Sequence, residues 1–158
     1  MFKFFRSTHH HKKYWQERKI NWATSYTSTH NHPHRFLISK VLGTFRWLSL
    51  IEIGCGSGAN LIHIIKAFPG RQVGGVDVNS DAIEEATKYL NGAYLKINSG
   101  DDVMMSDDST DVVLTDMCLI YVGPRKIKKY LREMKRIGRH HIVLCEFHSD
   151  SWWNRMAL

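Results

Sequence analysis

Short apolar runs alternate along this chain with stretches whose apolar positions recur every three or four residues, a pattern that predicts alternating strands and helices. The expected strands are 47–53, Gln72–Val78, Ala93–Ile97, Asp111–Leu114 with an extension towards Thr115, and His141–Phe147. Phe36, Leu37, Val41, Leu42 and Phe45 give an amphipathic helix over 34–46, with Pro33 suited to its first turn. A second helix covers 58–68 and is stopped by Pro69-Gly70. Asn79 is the expected N-cap of a third, with Asp81 in its first turn and a stop at Asn91-Gly92 after Leu90. Gly123-Pro124 opens a fourth, with Ile127, Tyr130, Leu131, Met134 and Ile137 on one face, basic residues around the rest, and Gly138 at its end. Residues 98–110 read as a polar, acidic loop, and the run Ile142-Val143-Leu144 suggests a last strand buried on both faces. Strands and helices in this order predict an α/β fold with a mostly parallel sheet and right-handed crossovers.

Residues 1–32 break the pattern. They are polar, basic and histidine-rich, with aromatics at Tyr14, Trp15, Trp22 and Tyr26 and some helix expected around Tyr14–Trp22. The chain therefore divides into this leading segment and a domain over 33–158. With 158 residues, 43% hydrophobic and 23% charged, the chain can bury a sizeable core. The first residues lack the apolar stretch of a signal peptide, and no run approaches a membrane span, so a cytoplasmic protein with no membrane partner is expected. Cys55, Cys118 and Cys145 are widely spaced and read as core or loop thiols rather than a disulfide framework. The net charge of +7 is compatible with a polyanionic partner, but the basic residues gather at the two flanks without a nucleic-acid module, and nucleic acid is not the favoured partner.

Candidate chemistry concentrates in Glu52-Ile53-Gly54-Cys55-Gly56-Ser57-Gly58-Ala59-Asn60, a glycine turn between the first strand and the next helix. Such a turn offers backbone N–H groups and bare glycine surface to a nucleotide-like ligand. Asp77 closes the next strand at the spacing of a carboxylate that binds ribose hydroxyls, which points to an adenosine-containing cofactor. Gly54, Gly56 and Ala59 satisfy a loose dinucleotide fingerprint, while Glu52, Gly54, Gly56 and Gly58 give the alternative spacing E-x-G-x-G-x-G.

With this second spacing the chain resembles the class I S-adenosylmethionine-dependent methyltransferase family over about residues 34–148. The likeness runs through Glu52–Gly58, Gly75-Val76-Asp77-Val78-Asn79, Gly100-Asp101, Asp111-Val112-Val113-Leu114 and Leu131–Arg136, in that order. The resemblance implies a Rossmann-like parallel sheet in the order 3-2-1-4-5 and S-adenosylmethionine as cofactor. It implies that Glu52–Gly58 wraps the methionine part, that Asp77 binds the ribose hydroxyls, and that Asp101, with Asp102 as the alternative, accepts from the adenine amino group. Cofactor-binding candidates are thus Glu52, Gly54, Cys55, Gly56, Gly58, Asn60, Asp77, Val78, Asp101, Asp102, Asp116 and Met117. The chemistry agrees: a carboxylate at the bend suits the cationic side of the cofactor, and Asp77 needs a free 2′-hydroxyl, which argues against NADP.

Methyl transfer from a sulfonium needs positioning more than a catalytic dyad, and the sequence assigns no catalytic residue. Cys118, Tyr121, Glu146 and His148 also fall at the strand ends that face the ligand crevice, and Tyr121, Glu146 or His148 are candidates to touch an acceptor. The chain reads Asp116-Met117-Cys118-Leu119 after the fourth strand, where amino-group methylases of DNA carry Asn/Asp-Pro-Pro-aromatic, so a small-molecule acceptor is favoured. The alternatives are a non-catalytic S-adenosylmethionine-binding subunit, an RNA methyltransferase using the basic helix over 125–139, and an NAD-linked oxidoreductase. His9–His11 and His30, His32 and His34 lack the companions of a metal site and read as a solvated segment, with no metal expected. Tyr14, Trp15, Trp22 and Tyr26 suit a lid that presents ring faces to a sulfonium. Family members continue past strand five with a helix and an antiparallel hairpin, which Ser149–Leu158 are too few to supply. Trp152-Trp153 then fall near an open strand edge, for which a shortened chain, a second copy, another partner or the N-terminal segment is the expected explanation.

Overall fold

In the computed structural model, which describes residues 8–146, β1 (Ser49–Ile53), β2 (Gln72–Asp77), β3 (Tyr94–Ile97), β4 (Thr110–Asp116) and β5 (Gly138–Cys145) form one sheet. Their order is β3-β2-β1-β4-β5, as the resemblance implies, and every neighbouring pair is parallel, where the alternating pattern predicts a mostly parallel sheet. Six helices accompany it: α1 (Thr8–Glu17), α2 (Trp22–Ser25), α3 (Pro33–Leu42), α4 (Ala59–Ala67), α5 (Ser80–Thr87) and α6 (Pro124–Ile137). Asn79 caps α5 as expected, its side chain accepting from Ala82 N–H at 2.9 Å.

Strand alternation sends successive β1 residues to opposite faces, and the core divides accordingly. Leu50, with Val112 and Leu114 of β4, packs against Ile38 and Leu42 of α3, Leu61 and Ile64 of α4, and Ile83 and Ala86 of α5. On the other face Ile51, Ile53 and Val113 meet Tyr130, Met134 and Ile137 of α6. Burying each of these aliphatic side chains is worth about 1.5–3 kcal/mol, so the two layers hold the sheet from both sides.

Register then sets out the site. Ile53 pairs with Val76 on one side and Thr115 on the other. The next residues, Gly54, Asp77 and Asp116, emerge side by side at the carboxyl ends of the three central strands.

Three expectations are corrected. First, β5 is not buried on both faces: Ile142 is 42% and Leu144 50% exposed, and with Leu37 and Val41 they line an open apolar groove. An edge strand flanked on one side alone can show this continuous apolar run, which by itself does not separate a central strand from an edge. Second, the core-facing stripe of α3 is Arg35, Ile38 and Leu42, whereas Phe36, Leu37 and Val41 face solvent. Third, α3 stops at Leu42 instead of reaching 46, because Trp47 Nε1–H donates to Leu42 O at 3.1 Å and takes the carbonyl that another helical turn would use. β5 ends at Cys145; Phe147, His148 and Trp152-Trp153 lie outside the described residues.

Candidate functional site

A cavity of about 340 Å³ opens where β1, β2 and β4 end. Its floor carries Gly54, Gly56, Asp77, Val78, Asp116 and Met117, all anticipated from the sequence. Glu52, Cys55, Gly58 and Asn60 are buried and are not among the lining residues. Asp101 and Asp102 are not among the lining residues; from that stretch Asn98 and Gly100 are.

The bend is made by backbone bonds that need glycine. Gly54 N–H and Cys55 N–H both donate to Val76 O, at 2.8 and 3.1 Å, which folds the chain back over β2. Gly54 has φ +76°, and a Cβ there would lie 2.5 Å from Cys118 Sγ, so a side chain is excluded by conformation and by space. Asp77 stabilises the bend from the neighbouring strand: Gly56 N–H donates to Oδ2 and Asn79 N–H to Oδ1, each at 2.9 Å. Burial pushes the Asp77 carboxyl up and these backbone bonds pull it down, leaving it above the ordinary range.

Behind the bend lies an acidic cluster. Asn60 Nδ2–H donates to Glu52 Oε1 at 2.6 Å and to Asp116 Oδ2 at 2.9 Å, and His34 Nε2 lies 2.8 Å from the same Asp116 oxygen. Burial drives the Glu52 carboxyl up to about 8, with the Asn60 bond opposing and the Asp116 charge adding to the rise. Glu52 Oε2, Asn60 Oδ1 and Asp116 Oδ1 are buried acceptors without a hydrogen-bond partner among the described residues. Arg35, also buried, supplies a positive charge whose field reaches Asp116 and Glu52.

The loop after β4 is shaped from below. Met117 adopts φ +53°, unusual outside glycine, and its N–H donates to Cys145 O at 2.9 Å. Glu146 Oε1 accepts from Thr115 Oγ1, Cys118 N–H and Leu119 N–H at 2.9, 3.1 and 3.0 Å. Glu146, a candidate to touch an acceptor, therefore spends one oxygen on the loop, while Tyr121 lines the cavity. Burial pushes the Cys118 and Cys145 thiols up to about 12, which disfavours the thiolate form of each at neutral pH.

The roof comes from the N-terminal segment. Trp15, Trp22 and Tyr26 line the cavity. Trp15 meets Tyr121 edge-on at 5.0 Å between ring centroids, and Trp22 lies 5.1 Å from Tyr26. Asn79 Nδ2–H donates to Trp15 O and Arg18 O at 2.7 and 3.0 Å, and Thr27 Oγ1–H donates to Ser57 Oγ at 3.0 Å. Sequence reasoning missed His34 as a partner of Asp116 and missed the tie between Asn79 and the roof. These pairs lie 60 residues or more apart along the chain, where no local spacing could announce them.

Residues 50–141 match the methyltransferase domain family. An uncharacterised protein of Rickettsia prowazekii is 30% identical over 76 residues, covering 45% of this chain and 30% of that protein. The magnesium protoporphyrin IX methyltransferase of Synechocystis, solved with bound S-adenosylmethionine, superposes with a TM-score of 0.66 at 14% identity, covering 91% of this chain and 77% of that one. A sugar N-methyltransferase from Streptoalloteichus gives 0.65 at 19% identity, covering 75% and 49%. The present chain thus spans less than a third of the curated relative and about half of the sugar enzyme. It belongs to the methyltransferase domain family, in the Rossmann-like class that depends on S-adenosylmethionine.

Proposed function

We propose that this protein binds S-adenosylmethionine in the cavity above the glycine bend and passes its methyl group to a small-molecule acceptor. The observation that carries this reading is the alignment of Gly54, Asp77 and Asp116 at neighbouring strand ends beneath one cavity. The residues present fit the cofactor. The bend has bare backbone where a ligand must approach closely, and Asp77 keeps acceptor capacity on both oxygens for two ribose hydroxyls. The unpartnered oxygens of Glu52, Asn60 and Asp116 favour a positively charged ligand over a neutral one.

S-adenosylmethionine supplies a methyl group already activated on a sulfonium, so the protein's work is to bind, orient and exclude water. In this reading Gly54 and Gly56 receive the ligand, Asp77 fixes its sugar, and Asp116, with Asn60 and Glu52 behind it, sets a negative potential beneath its amino-acid end. Trp15, Trp22 and Tyr26, three of the four aromatics expected to form a lid, cover the site and keep solvent from the reacting atoms, whereas Tyr14 is exposed and does not line the cavity. No side chain is assigned to proton removal. A small acceptor is supported by the cavity's size and by the Asp116-Met117-Cys118-Leu119 sequence in the place of a proline-rich methylase tetrad. Three free thiols suit a reducing compartment, which supports a cytoplasmic location.

Calorimetric titration with S-adenosylmethionine, S-adenosylhomocysteine and NAD tests the cofactor: the first two should bind in the micromolar range and NAD should not. Incubation with methyl-labelled cofactor and a panel of metabolites then tests turnover. Binding without transfer to any small molecule would favour a regulatory subunit, and a preference for NAD would overturn the assignment.

A further inference from the structure

The lid is unusually aromatic on the side that meets the glycine bend. Trp22 is 5% exposed and lies in the cavity wall with Tyr26 at 5.1 Å. It is the side chain nearest the open face of Gly56: a Cβ on that glycine would lie 3.8 Å from the Trp22 ring and touch nothing else. From the opposite wall, Asp116 lines the same cavity, with Glu52 and Asn60 behind it. Trp15, next along the lid, already holds a cation on its ring, because the Arg18 guanidinium stands 5.1 Å from its centroid. Among the described residues no cation stands over the Trp22 ring, which lies beside Tyr26 and the bend. A π-face over a low-dielectric site attracts positive charge and is indifferent to a neutral thioether.

We propose that Trp22, with Tyr26 beside it, is a charge-selecting residue that makes the cavity prefer a cationic ligand on the glycine bend to a neutral one of the same shape. The proposal rests on the S-adenosylmethionine reading above and adds to it. Methyl transfer turns a sulfonium into a neutral thioether. A lid that recognises the positive charge therefore holds the loaded cofactor and relaxes its hold on the spent one, helping product to leave. The carboxylates contribute to the same preference from the sheet side, so the role of the ring has to be read as a change in preference and not as total affinity.

The test uses the full chain and two stable probes: sinefungin, which carries a protonated amine in place of the methylated sulfur, and S-adenosylhomocysteine, which is neutral there. Affinities are measured by calorimetry at one pH and salt concentration for the wild type, Trp22→Leu, Trp22→Phe and Tyr26→Leu, each checked for a cooperative thermal transition. The wild type should favour sinefungin by about fivefold or more. Trp22→Leu should cut that ratio by about three- to tenfold, between the values expected for an exposed and for a fully desolvated cation–π contact. Trp22→Phe, with a weaker ring face, should fall between, and Tyr26→Leu should give a smaller loss. Equal weakening of both probes in Trp22→Leu and Trp22→Phe, with the ratio intact, would make Trp22 an apolar cover and overturn the proposal. Should the wild type bind neither probe, the cofactor reading itself fails, a result distinct from an unchanged ratio.

Discussion

The two walls of the cavity are built in opposite ways. The sheet wall is made of backbone: Gly54, Cys55 and Gly56 are pinned by Val76 O and Asp77 within a pair of adjacent strands. The lid wall is made of side chains from residues 15–27, tied to the domain by Asn79, the Thr27–Ser57 bond and an exposed Lys19–Asp81 ion pair at 2.6 Å. The first wall shares the stability of the two-sided core, while the second is held by the bonds just named, and the proposed reading has it open without unfolding the sheet. In the proposed reading the floor would fix the position of the ligand and the roof would govern its exchange.

The comparison breaks most sharply at Gly54. Gly54→Ala forces a side chain into a left-handed backbone 2.5 Å from Cys118 Sγ, and should cost about 2–4 kcal/mol of stability and abolish binding of S-adenosylhomocysteine. Urea unfolding and calorimetry measure both. Gly70→Ala is the control, since Gly70 also has positive φ but meets nothing within 4 Å; its cost should be near 1 kcal/mol, with ligand affinity unchanged.

A second expectation concerns pH. Glu52 is held near 8 when folded and titrates near its ordinary 4.5 when unfolded, so between those values the folded protein binds the extra proton. Stability should therefore be greatest on the acid side of this window and fall as pH rises from about 5 to 8. Asp77, also raised by burial, acts in the same direction, whereas His63, lowered by burial, acts in the opposite one near its ordinary value. Thermal unfolding of Glu52→Gln isolates the Glu52 contribution: its midpoint should fall less with pH than that of the wild type. An identical slope in the two proteins would show that Glu52 is ionised in its burial.

The lid offers the smaller effects. Asn79→Ala removes the cap of α5, worth about 1 kcal/mol, together with both bonds to the lid. Hydrogen exchange should speed up across residues 15–27 and stay unchanged in β1 and β4; uniform acceleration would mean that lid and sheet open together. Lys19→Ala should leave the thermal midpoint unmoved, because a solvent-exposed pair contributes little.

The sheet wall was legible in the sequence and the lid wall mostly was not. The glycine bend and Asp77 follow from spacing within short segments, where backbone geometry dictates residue type, and the order of strands from the family resemblance those segments carry. Arg35 inside α3 follows from no local pattern, because its burial is set by carboxylates on β1 and β4. The exposure of Ile142 and Leu144 has the same origin: strand patterning records which side chains are apolar and leaves open what covers them. Trp15, Trp22 and Tyr26 were readable as candidates for a lid, but their anchor on Asn79 was hidden, since a capping residue gives no sign that its amide has a second partner. The Asp116–His34 contact is hidden likewise, joining the start of one helix to the end of a distant strand.

The most direct measurement of the central claim is the affinity for S-adenosylhomocysteine of Asp77→Asn beside the wild type, by calorimetry at neutral pH. Loss of the charge that would receive both ribose hydroxyls should weaken binding by at least about tenfold while the fold is retained, in keeping with hydrogen bonds to a charged group. Equal affinity in the two proteins would contradict the claim that this carboxylate grips an adenosyl ligand on the glycine bend.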